Sequence, residues 1–234
     1  MKRACLVTVM CWLLPSAAFA APCIPGSLAT YVGLGAGGCN IGSATFANFV
    51  DLPLLGGASP IPDSGTFVDP ITTPGAPGFG FQVNILQDPN HMAERRIGFT
   101  LSGPGFTSSQ LGLVNSVVNI DGANTAIENE CLGAAFGLGG SCGATFGQLT
   151  ALDLGFLTQL TDSSTFANIA LLGVILDITV DGGTIGGASL ASATAQFTPI
   201  QAAPVPEPAT LGLLGLGLAA IAGQRYRARK NPNA

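Results

Sequence analysis

Two pairs of carboxylates lie at spacings that could support acid–base chemistry. Glu128 and Glu130 stand two residues apart in a run of alternating polarity, so they share one face of a strand. Asp177 and Asp181 flank the end of another such run. Two carboxyl groups about 5 to 9.5 Å apart can hydrolyse a glycosidic bond. The plainer interpretation, which we favour, is that acidic residues beside turns keep the protein soluble.

The sequence contains one histidine, His91, in the segment QDPNHMAERR. With Glu94 as its orienting partner, His91 could act as a general base. Neither a nucleophile elbow nor a His-metal spacing accompanies it. We therefore interpret the segment as a polar hairpin loop between two strands, with the turn supplied by Asp88, Pro89 and Asn90.

The sequence predicts no metal and no cofactor. Oxygen ligands suit Ca²⁺, but the chain has no EF-hand loop and no Gly-Gly-x-Gly-x-Asp repeat. Flat sugar sites commonly use Trp and Tyr, and outside the two end segments Tyr31 is the one residue of either type. We predict a protein without catalytic activity. The alternative is a calcium- or polysaccharide-binding module, or a glycan-active enzyme, on the same scaffold.

Charge is distributed very unevenly along the chain. Of the 8 Lys and Arg residues, only Arg95 and Arg96 lie outside the two end segments, whereas of the 13 Asp and Glu residues only Glu207 lies in the tail. The middle of the chain is therefore strongly acidic and would repel a polyanion, which excludes nucleic acid as a partner. It also has no lysine, which excludes chemistry that needs a lysine amine.

The first twenty residues have the order of a secretory signal peptide. Lys2 and Arg3 precede a short apolar run, and small residues at Ala18 and Ala20 follow it. The run is about 11 residues long, against the ~20 that a membrane-spanning helix needs. We therefore expect cleavage after Ala20, rather than an uncleaved anchor.

The cysteine count agrees with export. Two of the six cysteines fall in the signal segment, and the other four are Cys23, Cys39, Cys131 and Cys142. An even number in an exported chain indicates two disulfides, for which three connectivities exist. We favour pairing the first with the second and the third with the fourth, because each pair brackets a short Gly-rich loop. A four-cysteine metal site is the competing interpretation, although no C-x-x-C pair supports it.

The middle of the chain reads as strands. Phe79, Phe81 and Val83 alternate with small or polar residues, and the same period of two recurs in the runs RIGFTLSG and ASATAQF. Asp121-Gly122 and Asp181-Gly182 each follow such a run and predict hairpin turns. Short strands with turns between them indicate an all-β fold, a single β-sandwich that could be jelly-roll-like.

Two stretches fit this pattern less well. Residues 52–78 hold six prolines, so we expect an extended loop with one edge strand at residues 65–68. Residues 145–173 are almost uniformly apolar, and we interpret residues 149–160 as a short helix.

The tail has three ordered parts. Val205, Pro206, Glu207 and Pro208 should be extended, because proline fixes φ and removes a backbone donor. Residues 209–222 carry no charge and would form a helix of about 21 Å. A basic cluster then follows, made of Arg225, Arg227, Arg229 and Lys230. A cationic end is held on the cytoplasmic side, so the order predicts a transmembrane helix with the acidic domain outside.

This order closely resembles the PEP-CTERM sorting signal of Gram-negative bacteria, which is also known as the carboxy-terminal domain of ice-binding proteins. The resemblance implies that an exosortase, a multi-pass membrane enzyme, recognises Pro206, Glu207 and Pro208. It would then release the protein from the inner membrane to the cell surface or to the exopolysaccharide matrix. Gln224 and Tyr226 interrupt a basic run that is often continuous in the family.

A looser resemblance lies at the other end of the chain. The segment from Cys23 to Gly42 is similar to the opening of a group of exported proteins with the same tail, which supports pairing Cys23 with Cys39. The predicted organisation is a signal peptide at residues 1–20, a secreted β-sandwich domain at 21–203 and a sorting signal at 204–230. The group adds no activity to this prediction.

Overall fold

A computed structural model describes residues 20–55, 57–62, 65–137 and 140–200. Most of the predicted signal peptide and the whole predicted tail, with its transmembrane helix, lie outside these residues. Within the described parts, the strands are β1 (Gly26–Ser27), β2 (Cys39–Ile41), β3 (Ala44–Asp51), β4 (Ser59–Pro60), β5 (Phe67–Ile71), β6 (Gly78–Gln87), β7 (Met92–Asn119), β8 (Ala123–Leu132), β9 (Thr145–Asp153), β10 (Thr158–Gln159), β11 (Thr161–Asp181) and β12 (Gly187–Pro199). The domain is all-β, as predicted.

One short helix, α1 (Leu28–Gly33), precedes a 3₁₀ turn at Gly35–Gly37. Its N-cap is Ser27, whose hydroxyl accepts a hydrogen bond from the Thr30 amide at 3.3 Å. Leu28 and Tyr31 point into the core from this helix. The buried Tyr31 hydroxyl donates to the Ile24 carbonyl at 2.8 Å, which satisfies its polar end.

Two long strands, β7 and β11, organise the sheet. The first part of β7, residues 92–102, pairs with β3 on one edge and with residues 171–181 of β11 on the other. The second part, residues 106–119, pairs with β12, and its first residues also pair with the start of β11. Each long strand therefore contributes to two layers.

The remaining strands extend those two layers. In the first layer, β8 and then β9 and β10 continue from the second part of β11, and β2 continues from β3. In the second layer, β6 continues from β12 and is followed by β5 and β1. Apart from β4, which runs parallel to β7, these pairings are antiparallel. The result is sandwich-like, while jelly-roll connectivity stays a prediction.

The change of layer takes place at a sharp corner in β7, made of Gly103, Pro104 and Gly105. Gly105 has φ +131°, a conformation that side chains rarely adopt, and Pro104 lacks the donor for a regular ladder. Asn168 of β11 lies against this corner, where the β7–β11 register shifts. A Cβ on Gly105 would lie 1.8 Å from Asn168 Oδ1, so any other residue here would displace the Asn168 side chain and would also be strained by the positive φ.

Aromatic side chains fill the core at one end of the two layers. Phe46 of β3 meets Phe79 of β6 with ring centroids 4.7 Å apart, and Phe99 of β7 meets Phe197 of β12 at 6.2 Å. Tyr31 closes the cluster with an edge contact to Phe79 at 5.4 Å. The two contacts between phenylalanines each join a strand of the first layer to a strand of the second. The two layers therefore face each other across this cluster.

Three turns cross between the layers at the opposite end of these strands. They join β6 to β7, β7 to β8 and β11 to β12. The turns fall at Asp88-Pro89-Asn90, Asp121-Gly122 and Asp181-Gly182, as the sequence predicts. The prediction of hairpins at these turns is wrong, however. The two strands that each turn connects do not pair with each other, and each pairs with other strands instead.

Glycine is required where these three turns pack on one another. A Cβ on Gly182 would lie 2.0 Å from the Asp88 carbonyl oxygen, and one on Gly186 would lie 2.1 Å from that of Asn119. The Asp121 carboxylate joins two of the turns by accepting from the Thr184 amide at 2.9 Å. Hydrogen bonds from Thr184 lower the pKa of Asp121 to about 2.

The predicted alternation of the strands is largely confirmed. Phe79, Phe81 and Val83 are buried, and so are the alternate residues of the first part of β7. Ala191 is an exception, since a bulge between Leu190 and Ser192 shifts the alternation of β12 by one residue.

Two sequence predictions change. The edge strand predicted at residues 65–68 lies at Phe67–Ile71, with only the two-residue β1 beyond it. The helix predicted at residues 149–160 is wrong: Thr145–Asp153 forms β9 and Thr158–Gln159 forms β10. In β9 the residues Leu149, Ala151 and Asp153 are buried, and those between them are more exposed, so the strand has one core face. The surrounding run is so rich in apolar residues that this period of two does not stand out from a helical one in the sequence.

Among the residues that the structure describes, no helix has the length and apolar character needed to cross a membrane.

We predict that Gly105→Ala will destabilise the domain strongly. Alanine would meet both the unfavourable φ and the contact with Asn168, so the free energy of unfolding should fall by roughly 3 kcal/mol or more. Urea unfolding followed by far-UV circular dichroism would measure the change. Gly33→Ala at the end of α1 is the matched control, because a Cβ there meets no atom within 4 Å. Equal stability of the two variants would show that the corner is not the constraint described.

Candidate functional site

The paired carboxylates Glu128 and Glu130 lie inside the domain. Both are on β8, where they share one face as their spacing predicts, and each side chain is 0% exposed. Glu128 lies opposite Leu149 of β9, and Glu130 lies opposite Gly147. Their shared face is therefore the core face of the strand, and a substrate at the surface could not reach either carboxyl group.

Burial disfavours ionisation of these two carboxyl groups. It raises the pKa of Glu128 well above its usual value, and the neighbouring Glu130 raises it further. Burial also raises the pKa of Glu130, although Ser109 and Glu128 act in the opposite direction. The two arginines of the described chain do not compensate this pair, because both bind elsewhere. Burial without a cationic partner therefore favours the neutral form of both acids over the charged form.

A second buried polar group lies at the start of β8. The Asn124 side-chain amide donates to Ser116 Oγ at 2.8 Å and to the Ser189 carbonyl at 2.8 Å. Ser116 in turn donates to Asp153 Oδ2 at 2.8 Å. Asn124 thus links β8 to the facing strands β7 and β12, which is a structural role.

The structure does not bring His91 and Glu94 together as an acid–base pair. His91 is exposed in its turn, where its Nδ1 lies 3.0 Å from the Pro89 carbonyl oxygen. Glu94 is buried, and its Oε1 accepts from the Leu55 amide at 2.9 Å. Glu94 therefore fixes a loop to the sheet.

Asp177 and Asp181 do not act as a pair either, because each makes different contacts. Asp177 pairs with Arg96 at 3.3 Å across β11 and β7. Burial, together with the charge of Glu94, raises the pKa of Asp177 to about 6 against the opposing effect of Arg96. Asp181 Oδ1 accepts from the Gly183 amide at 2.9 Å and shapes a turn.

The four cysteines form two disulfides, Cys23–Cys39 and Cys131–Cys142, which is the connectivity that the short loops favour. No thiolate of these residues is left to bind a metal. Within the described ranges, no three His, Cys, Asp or Glu side chains converge as metal ligands.

A cleft of about 550 Å³ opens on the outer face of the first layer. Its floor is formed by Gly98 and Thr100 of β7, by Ile175 of β11, and by Asn48 and Val50 of β3. These residues alternate with the core-facing ones, so they point away from the aromatic cluster. The absence of a side chain at Gly98 leaves room for Val50, because a Cβ on Gly98 would lie 2.8 Å from Val50 Cγ1.

One wall of the cleft is residues 52–55, which the motif Glu94-Arg95-Arg96 holds against the sheet. Arg96 Nη1 donates to the Pro53 carbonyl at 2.6 Å, and the Leu52 amide donates to the Arg96 carbonyl at 2.9 Å. The bond from the Leu55 amide to Glu94 closes this wall. Further along the same loop, Arg95 Nη1 donates to the Ile61 carbonyl at 2.8 Å.

The facing wall is the loop closed by Cys131–Cys142. Ala135, Phe136, Gly137 and Gly140 of this loop line the cleft. The Gly133 amide donates a hydrogen bond to the Leu171 carbonyl at 2.9 Å. The loop backbone also packs closely on Gly173, since a Cβ on this glycine would lie 2.8 Å from the Phe136 backbone nitrogen. The described residues of both walls are therefore held by hydrogen bonds and packing within the protein.

The predicted sorting residues Val205, Pro206, Glu207 and Pro208, and the basic cluster Arg225, Arg227, Arg229 and Lys230, lie outside the described residues, as does Ala18. Ala20, at the predicted cleavage point, is described, and its carbonyl accepts from the Asn40 side chain at 3.2 Å. The predicted boundaries of the signal peptide and of the secreted domain stay predictions.

These features define a disulfide-bridged, all-β domain of sandwich-like architecture with a preformed cleft. The tail carries a recognisable short motif. Residues 204–228 match the model of the PEP-CTERM protein-sorting motif, so the chain carries this sorting motif and the resemblance seen in the sequence is confirmed. The motif implies an exported protein with a membrane-anchored precursor that an exosortase, a membrane enzyme, processes.

The other comparisons add little. No curated protein matches the chain. Among solved structures, TmCBM61 in complex with β-1,4-galactotriose matches at 7% identity, over 51% of this chain and 69% of that chain, with a TM-score of 0.27. A TM-score this low defines neither a shared fold nor a shared ligand.

Sequence reasoning missed the cleft and the role of Glu94-Arg95-Arg96 in building it. Its lining comes from four separate segments, and no motif connects them. The signals available were the cysteine-bracketed loop and the one pair of arginines in an acidic region. Neither signal says that the two loops lie on the same face.

We predict that Glu128→Gln will stabilise the protein at neutral pH. Because the folded-state pKa is raised, the stability linked to Glu128 is fully present below the ordinary value of 4.5 and is lost as pH rises toward the folded-state pKa. Glutamine cannot ionise, so the melting temperature of the variant should exceed that of the wild type at pH 8, and the two should converge near pH 4.

Differential scanning calorimetry from pH 4 to pH 8 would measure this difference. Asp88→Asn, at an exposed carboxylate in a turn, is the control and should show no such pH-dependent gain. A Glu128→Gln variant that is less stable than wild type throughout would mean that the folded domain needs the charged form.

Proposed function

We propose that this chain is an exported, non-catalytic protein of the cell surface or extracellular matrix of a Gram-negative bacterium. The observation that carries the proposal is the sorting motif at residues 204–228. In this proposal residues 1–20 are a signal peptide and residues 209–222 hold the precursor in the inner membrane. An exosortase then recognises Pro206-Glu207-Pro208 and frees the domain, which is a single β-sandwich, for the surface or the exopolysaccharide.

The burial of the paired acids supports the non-catalytic part of the proposal. A general acid must come within hydrogen-bond reach of the substrate, and Glu128 and Glu130 are enclosed. Tyr31, the aromatic residue that a flat sugar site would use, is buried as well. The acidic surface and the engagement of both arginines within the fold favour a stable, soluble surface domain.

The proposal predicts that replacing Pro206, Glu207 and Pro208 by alanine will block processing. The precursor should lose its signal peptide, stay in the membrane fraction and retain the mass of the tail, because the exosortase would lack its recognition sequence. Intact-mass spectrometry of membrane and surface extracts, from a Gram-negative host that makes an exosortase, would measure this outcome.

The matched control is Pro74→Ala, which removes a proline from an exposed loop of the domain and should leave processing unchanged. A host that lacks exosortase should reproduce the triple-alanine result with the wild-type chain. The proposal is wrong if the triple-alanine protein reaches the surface at the same mass as the wild type.

A further inference from the structure

The cleft on the outer face of the first layer is lined mainly by apolar side chains. Its large side chains are Val50, Leu52, Leu54, Leu55, Phe136 and Ile175. Leu55 is 65% exposed and Val50 is 43% exposed, although the surrounding domain is rich in carboxylates. Apolar surface in a concave site gains free energy when an apolar ligand displaces the water that covers it.

The cleft has the size and rigidity of a ligand site. Its volume of about 550 Å³ falls within the usual range for small-molecule pockets. The ion pair between Arg96 and Asp177 and the hydrogen bond from Arg96 to Pro53 fix one wall. The Cys131–Cys142 disulfide fixes the other. Binding of a ligand therefore costs little free energy for ordering the protein.

The polar groups of the cleft indicate the charge of the ligand. Arg96 is the one ionisable residue that lines it. Asn48 and Thr100 supply neutral polar atoms at the floor, where the Asn48 amide donates to the Thr100 hydroxyl at 3.0 Å. A negative head group is favoured beside Arg96, and a cationic one is not. Asp177 pairs with this arginine and the charge of Glu94 acts on Asp177, so the preference for an anion should be small.

Two other classes of ligand fit the cleft poorly. It has no Trp or Tyr on which a sugar ring could stack. A peptide could not add to β7 as an extra strand, because the part of β7 at the floor already pairs with β3 and β11.

We propose that this cleft binds a free single-chain amphiphile, an alkyl or acyl chain with an anionic head group. The chain lies along Val50, Leu55 and Ile175, and the head group lies near Arg96. This binding is separate from sorting, since every residue of the cleft belongs to the exported domain.

A homologous series of alkyl sulfates, from hexyl to dodecyl and each below its micellar concentration, provides the first test. Isothermal titration calorimetry on the full exported domain should show an affinity that rises about fourfold for each added methylene. The rise should stop once the chain fills the cleft. An affinity that is independent of chain length would overturn the proposal.

The head group is tested at one chain length. Octyl sulfate should bind more tightly than octanol, and octanol more tightly than octyltrimethylammonium, with a total range of about tenfold at physiological salt because the arginine is partly balanced. Tightest binding of the cation would contradict the role given to Arg96.

A pair of matched variants locates the binding. Leu55→Ser should weaken decyl sulfate binding about fivefold or more, because it removes an apolar side chain from the cleft wall. Leu86→Ser is the control, since Leu86 is 70% exposed and lies on β6, outside the cleft. Melting curves would verify that both variants fold. Equal weakening by the two substitutions would assign the binding to general surface adsorption and overturn the proposal.

A last arm separates a free chain from a membrane surface. Phosphatidylcholine vesicles should not sediment the protein, because a chain held in a bilayer cannot enter a walled cleft. Sedimentation of the wild type that Leu55→Ser abolishes would show that the same residues dock on a membrane, and the proposed ligand would then be wrong.

Discussion

The passage of β7 and β11 from one layer to the other is the constraint on which the rest of the structure depends. Both strands make the passage at one place, where Gly105 lies against Asn168. Beyond it, the same two strands pair with different partners: β3 and β8 on one side, β12 on the other. Without the corner, the two strands would extend one open sheet, and the aromatic face of β6 would lose the strands that cover it.

The corner also divides the interior into two chemically different parts. The part bounded by β3, β6 and the first half of β7 holds the ring contacts of Phe46, Phe79 and Phe99. The part bounded by β8, β9 and the second half of β7 holds Glu128, Glu130 and the Asn124 hydrogen bonds. The first part is stabilised by apolar burial, which does not depend on the orientation of the contacting groups. The second part also depends on hydrogen bonds between particular polar partners. Because burial disfavours ionisation of Glu128 and Glu130, this second part makes stability sensitive to pH.

The sequence predicts local features of this fold better than it predicts their partners. Alternation identifies the core faces of β6 and β7 because the period of two is a property of the strand itself. Asp121-Gly122 and Asp181-Gly182 mark reversals of the chain correctly, but a turn does not reveal whether the next strand pairs with the last one or crosses to the other layer. In the same way, the spacing of Glu128 and Glu130 places them on one face and cannot say that the face is buried. The cleft could not be predicted, since its walls come from loops that meet only after both layers have formed.

The distribution of charge connects the fold to the cleft. The exported domain has twelve acidic residues, so two arginines add little to its solubility. Both arginines instead attach one loop to the sheet. Arg95 binds Asp51 and the Ile61 carbonyl, and Arg96 binds Asp177 and the Pro53 carbonyl. Charge-assisted bonds to carbonyl groups are stronger than neutral ones, so these two side chains can hold a proline-rich loop that has few amide donors of its own. The bonds of Arg96 hold the apolar residues 52–55 over the outer face of the first layer and place the ion pair of Arg96 with Asp177 at the edge of the cleft. The polarity of the cleft is therefore a consequence of how the loop is attached.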